Sequence, residues 1–183
     1  MSDWVYAVER AYVAIATSGA PAIQLQLGTE SPARIAAASG AVASRFLAVG
    51  TPRSLSLIVD ADDRQAGQLE AAVLSLEAHR TWFSPPDVRC TSAALAARTG
   101  GREVSIAEAL AADIVCSLGA TPIAAAQLRR GTHVNALGDP RALDPELLAL
   151  ATVVDAGALP AMAAGFVDGR QLDELTVFRY GPI

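Results

Sequence analysis

The chain has 183 residues, of which 52% are hydrophobic and 18% charged, and it carries a net charge of −5. That length fits one domain, or one domain with a small appendage, and the composition is globular, not disordered. The acidic balance and the lack of a basic run exclude an electrostatic nucleic-acid binder, and no apolar run reaches the roughly 18 residues of a membrane span, so no membrane is expected as a partner.

In chain order, DWVYAVERAYVAIATS (3–18) predicts a helix with Val5, Val8, Tyr12 and Ile15 on one face, Asp3 at its start and Gly19 as its stop. AIQLQL (22–27) alternates like a half-exposed strand whose polar face is Gln24 and Gln26. Ser31-Pro32 opens a second helix, with the proline early, where its missing donor costs nothing. SLSLIVD (54–60) reads as a buried strand and DDRQAGQLEAAVLSLEAH (62–79) as a helix. RTWFS (80–84) reads as a strand closed by Pro85-Pro86, VRCTSAALAART (88–99) as a helix, and Gly100-Gly101 as a turn. Helices are expected at 106–112, 123–130, 144–151 and 158–166, alternating with strands DIVCSL (113–118), THVNAL (132–137) and TVVDA (152–156). LTVFRYG (175–181) reads as a terminal strand.

Apolar strands alternating with helices predict an α/β fold, a Rossmann-like doubly wound parallel sheet of five strands over 31–170. AIQLQL and LTVFRYG do not fit that repeat. They are expected to form a separate small β layer from residues 1–30 and 171–183.

All fourteen cations are arginine, so a Schiff base, a lysine base and a P-loop lysine are excluded. Cys90 and Cys116 stand far apart with no CxxC and read as buried thiols of a reducing compartment. DWVYAVER has acid and aromatic residues where a signal peptide keeps its apolar core, so a cytoplasmic location is expected. His79 reads as solvent-facing and His133 as a packing or hydrogen-bonding histidine. Two separated histidines without clustered acids predict no metal site.

Several motifs resemble the ornithine cyclodeaminase / mu-crystallin family. GTHVNALG (131–138) followed by LDPELLALATVVD (143–155) is similar to that family's GTHINAVG…ELDPELL…VVVD. ARIAAASGAVASRFLA (33–48) resembles its LRTAAASALAARYLA, VERAYVAIATSGA (8–20) its first helix, and TVFRYG its T-x-F-x-S-x-G return strand. The resemblance implies an NAD(P)-binding Rossmann-type unit and dimers built around a substrate domain. Almost all of that domain lacks a counterpart here, including the segment with the family's catalytic lysine. The small β layer is then expected to be the remnant of a truncated substrate and dimerisation domain.

The same alignment sets the family's I-G-A-G-x-Q-A-x-x-Q against Val59-Asp60-Ala61-Asp62-Asp63-Arg64-Gln65-Ala66-Gly67-Gln68, so Asp60 and Asp62 replace two phosphate-loop glycines and Asp63 follows. Glycine there lets the backbone approach a pyrophosphate at a helix N-terminus. One like-charge pair at 4 Å costs ~4 kcal/mol at an effective dielectric of 20, so the loop reads as degenerate and no cofactor is expected. The aspartates suit the start of a helix that has no nucleotide to bind. A ribose-binding acid should end the next strand, where RTWFS offers Ser84. Arg34 matches the family arginine that grips a substrate carboxylate, while Ile35 replaces the neighbouring threonine. Asp139, in a shortened loop, reads as a turn former.

These readings predict a non-catalytic pseudoenzyme, a homodimer that binds a peptide or partner protein along the edge of the remnant layer. Gln24, Gln26, Arg34, Phe178, Arg179 and Tyr180 are its expected contacts, with Phe178 and Tyr180 as aromatic anchors on one face. A precursor-peptide-binding accessory protein for a ribosomally made, modified peptide would suit this arrangement. Two alternatives stand beside it: an NAD(P)-dependent dehydrogenase or cyclodeaminase with an unusual nucleotide site, completed by a partner subunit, and a structural subunit that stabilises another enzyme.

Overall fold

The computed structural model describes residues 3–19, 30–60, 66–165 and 174–180. Helix α1 (Asp3–Ser18) buries Val5, Val8, Ala11 and Tyr12 and leaves its polar face to solvent. Helix α2 (Pro32–Leu47) starts where Ser31 caps it, the Ser31 hydroxyl accepting from the Arg34 N–H at 3.3 Å, with Pro32 in the first turn. Its run from Ala37 to Ser44 is fully buried, and such small side chains let a helix lie close to its neighbours on two sides.

Seven strands form one sheet, all parallel: β1 (Ser54–Ile58), β2 (Asp87–Cys90), β3 (Arg102–Glu103), β4 (Ile114–Ser117), β5 (His133–Ala136), β6 (Thr152–Asp155) and β7 (Thr176–Arg179). The spatial order is β3-β2-β1-β4-β5-β7-β6, and the order reverses between β1 and β4. Helices α3 (Ala66–His79), α4 (Ala93–Thr99), α5 (Ile106–Leu110), α6 (Pro145–Leu150) and α7 (Leu159–Ala163) complete the described elements. Alternate residues of each strand face opposite sides. Leu55, Leu57, Ile114 and Cys116 pack with Ala72 and Leu76 of α3, while Ile58, Val115, Val134 and Val177 pack with Leu110 and Leu147 of α5 and α6. A parallel sheet buried on both faces by helices is the Rossmann-like architecture expected.

Several expected elements take a different form. RTWFS is not a strand: the amides of Arg80, Trp82 and Phe83 donate to Leu76 and His79 carbonyls, winding off the end of α3. Trp82 instead packs edge-to-face on Tyr6 of α1, 6.1 Å between ring centres. The next strand is therefore Asp87–Cys90, overlapping the start of the segment expected to be helical, and the helix begins only at Ala93. Residues 123–130 form a short 3-10 turn, Ala125–Gln127, held by the pairing of Ile123 with Leu143.

The largest correction concerns LTVFRYG. It is an inner strand of the main sheet, paired to β5 (His133↔Thr176) and to β6 (Thr152↔Thr176), not part of a separate layer. Val177 and Phe178 are fully buried on opposite faces, as an interior parallel strand requires. The other half of the expected layer, AIQLQL with Gln24 and Gln26, lies outside the described residues. No helix among the described residues is long and apolar enough to cross a membrane.

Candidate functional site

In an open α/β sheet, ligands bind beyond the carboxyl ends of the strands where the strand order reverses. Here that point lies between β1 and β4, and the residue that follows β1 across it is Asp60. Its carboxylate reaches over the reversal to the loop after β4. The Ala120 N–H donates to both oxygens at 2.9 and 3.0 Å, and the Thr121 hydroxyl lies 3.3 Å from one of them. From α3, Gln68 donates its amide to the Asp60 carboxylate and accepts from the Asp60 N–H, each at 2.9 Å. A Cβ on Gly119 would stand 2.3 to 2.4 Å from the carboxylate atoms, so only glycine leaves room for Asp60 there. Gly138 has the same constraint, because a Cβ would meet the Gly119 carbonyl at 2.5 Å and Leu118 at 2.5 to 2.6 Å. Burial alone would raise the Asp60 carboxyl; the hydrogen bonds from Gln68, Ala120 and Thr121 outweigh it and hold the group below its ordinary value. At neutral pH the crevice contains a carboxylate anion.

On the other side of β1, Thr91 ties the strand end to β2, its hydroxyl accepting from the Val59 N–H at 3.1 Å and donating to the Val59 carbonyl at 3.2 Å. Because β2 ends at Cys90, the residues at the expected ribose edge are Thr91 and Ser92. Ser84 lies off the sheet.

Beside Asp60 is an apolar cleft of about 210 Å³, lined by Ala36, Ala37, Gln68, Ala71, Leu118 and Leu137. A dry apolar cavity of about 150 Å³ holds a benzene, so a single ring has room in this one. The Ser75 hydroxyl, fully buried at the cleft wall, has no hydrogen-bond partner among the described residues.

Under the cleft lies a buried polar chain that joins α2, α3, β5 and β7. The Thr176 hydroxyl is 2.8 Å from His133 Nδ1, and His133 Nε2 is 3.1 Å from Asn135 Oδ1. Asn135 Nδ2 donates to Ser44 Oγ at 2.7 Å and lies 3.3 Å from His79 Nε2. His79 Nδ1 is 2.6 Å from the Ser75 carbonyl, and the Ser44 hydroxyl lies 2.9 Å from both the Gly40 carbonyl and His79 Nε2. One assignment satisfies every ring nitrogen: His79 carries its proton on Nδ1 and His133 on Nε2, both rings neutral. Burial accordingly pushes His79 down to about 4 and His133 down to about 3. His79, expected at the surface, is fully buried here.

The remaining expected site residues are dispersed. Arg34 is exposed at the start of α2, paired with Glu30 at 3.3 Å and 5.6 Å over the Trp4 ring. Arg179 grips Asp155 with two bonds of 2.7 and 3.0 Å. Phe178 is wholly buried and Tyr180 partly buried against the same core, so Phe178 presents no ring to a partner. Asp139 caps a 3-10 turn and holds Arg141; that arginine beside it lowers its carboxyl to about 2. Cys90 and Cys116 are buried as expected, and burial pushes Cys116 up to about 12. Asp62 and Asp63 lie outside the described residues. Among the described residues, no group of three or more His, Cys, Asp or Glu is placed to hold a metal.

The sequence reading missed Gln68, Ala120 and Thr121 as partners of Asp60, and missed the Ser44–His79–Asn135–His133 chain. The available signal was polar residues two apart, His133 and Asn135, on a strand that is otherwise apolar.

No protein-family model matches the chain, and neither does any curated protein. Among solved structures, it is similar to an archaeal alanine dehydrogenase dimer with bound NAD (TM-score 0.65, 19% identity), covering 80% of this chain and 58% of that one. It is also similar to the iminosuccinate reductase of Paracoccus denitrificans in complex with NAD+ (TM-score 0.64, 22% identity), covering 81% and 57%. A third is the Thermococcus litoralis Δ1-pyrroline-2-carboxylate reductase in complex with NADH and L-proline (TM-score 0.63, 20% identity), covering 80% and 58%. The chain therefore spans a little under three fifths of each of these proteins. Its fold is that of NAD-binding domains, which agrees coarsely with the family resemblance. These neighbours overturn the expectation of a non-catalytic chain: they are a dehydrogenase and two reductases, in structures that hold NAD, NAD+ or NADH.

Proposed function

We propose that this chain is the nucleotide-side domain of an NAD(P)-dependent dehydrogenase or cyclodeaminase-type enzyme with an unusual nucleotide site. The observation that carries this reading is the parallel sheet reversing at β1 and β4, with a single-ring cleft opening at that reversal, in a fold shared with structures that hold NAD, NAD+ and NADH. The cleft suits one ring of a dinucleotide. A pyrophosphate does not fit at the end of β1 with the Asp60 carboxylate bonded to Ala120. The chain has no lysine and neither would a second copy of it, so an amine base for the substrate side would come from a different partner chain.

Titration of NADH and NADPH, read by nicotinamide fluorescence and by energy transfer from the tryptophans, tests the reading. Saturable binding with a Kd below about 1 mM is expected, and no saturation up to about 5 mM would refute it.

A further inference from the structure

Whatever ligand enters the crevice must contend with Asp60. That side chain does not cap α3 through any bond seen among the described residues; its anion is spent on the loop after β4 and on Gln68. A backbone N–H aimed between two oxygens, a hydroxyl beside it and a side-chain amide make a ready set of donors for a two-oxygen anion. Gly119 has no room for a side chain while the carboxylate is present, so the loop is shaped around an anion. Asp60 is partly exposed, which leaves the site open to exchange with solvent anions. Gln68 and the strand end before Gly119 also line the single-ring cleft, so an anion in the loop and a ring in the cleft would be adjacent.

We propose that the Gly119–Thr121 loop is an anion subsite and that Asp60 is its built-in occupant, so that a carboxylate or phosphoryl group of a ligand enters by displacing the Asp60 carboxylate. Only the identity of the ligand rests on the nucleotide reading; the subsite itself is testable without a nucleotide. An internal anion at high effective concentration weakens every external one by the same factor, and removing it should strengthen them all.

The test follows the Ala120 amide by NMR while sodium formate, inorganic pyrophosphate and NADH are each titrated into wild type and Asp60→Ala. In Asp60→Ala, formate or pyrophosphate is expected to shift Ala120 and Thr121 saturably, with no response in wild type. The two arms separate a carboxylate from a phosphoryl preference. NADH is expected to bind the variant at least about tenfold more tightly than wild type. A folded Asp60→Ala protein whose Ala120 amide ignores both small anions would overturn the subsite, as would equal NADH affinity in the two proteins. If NADH binds neither while formate binds the variant, the nucleotide reading fails and the subsite stands. Should Asp60→Ala not fold, Asp60→Asn keeps the shape and removes the charge. It must then bind NADH at least about threefold more tightly, and an unchanged affinity counts against displacement.

Discussion

Lowering the pH from 7 to 5 is expected to remove about 4 kcal/mol of folding stability. The groups responsible are His79 and His133, both fully buried, with each ring nitrogen already engaged by Ser75, Ser44, Asn135 or Thr176. Burial holds them down to about 4 and about 3, against 6.5 for an ordinary histidine. Between those values the unfolded chain binds two protons that the folded chain refuses. Stability is therefore complete above about pH 6.5 and falls as the pH drops toward 4, at about 1.4 kcal/mol per unit for each ring, or about 2 kcal/mol each by pH 5. Asp60, Asp87 and Asp113 have depressed values, so their contribution is present above about 3.8 and is lost only in more acid solution. Between pH 7 and 5 the histidines therefore set the slope, and the aspartates add to it only in more acid solution. Urea unfolding at pH 7, 6 and 5, read by tryptophan fluorescence, measures the slope against a total of about 5–15 kcal/mol. Replacing His79 with Gln should halve it. A stability that stays level between pH 7 and 5 would show that the rings are not held neutral as assigned.

Three further outcomes follow from the packing. Gly119→Ala should cost about 1–3 kcal/mol in wild type, because its Cβ collides with the Asp60 carboxylate, yet little in an Asp60→Gly background; urea midpoints of the four proteins give the coupling. Asn135→Leu strands the donor of His133 Nε2 and removes bonds to Ser44 and His79, which should cost about 3 kcal/mol or more, visible as a lowered Tm. Phe178→Ala should cost about 3–5 kcal/mol if β7 is an interior strand, whereas a peripheral layer would tolerate the change at under about 1 kcal/mol in the same urea assay.

Much of the sheet is readable in the chain because a strand buried on both faces is built mainly from apolar and small side chains, as SLSLI and IVCS are. The same rule applies to TVFR, where Val177 and Phe178 fill opposite faces, but four residues at the chain's end carry no signal of which neighbours they join. RTWFS misleads because its aromatic residues favour strands locally, while Trp82 is drawn onto Tyr6 and Arg45 by tertiary contact. At the site, Asp60 is conspicuous as an acid where the resembling family keeps glycine. Its partners are not, since Ala120 contributes a backbone N–H, which any residue has, from sixty positions away. The histidine chain is half legible: the spacing of His133 and Asn135 places both on one face, but Ser44 and His79 meet them only once α2 and α3 have docked.

Calorimetric titration of NADH into wild type and Asp60→Gly side by side reaches the core of this account, a dinucleotide-binding fold whose crevice contains its own carboxylate. Saturable binding by both proteins, tighter by about tenfold or more in the glycine variant, is the predicted result. A folded Asp60→Gly protein that takes up no NADH at about 5 mM, like its parent, would contradict it.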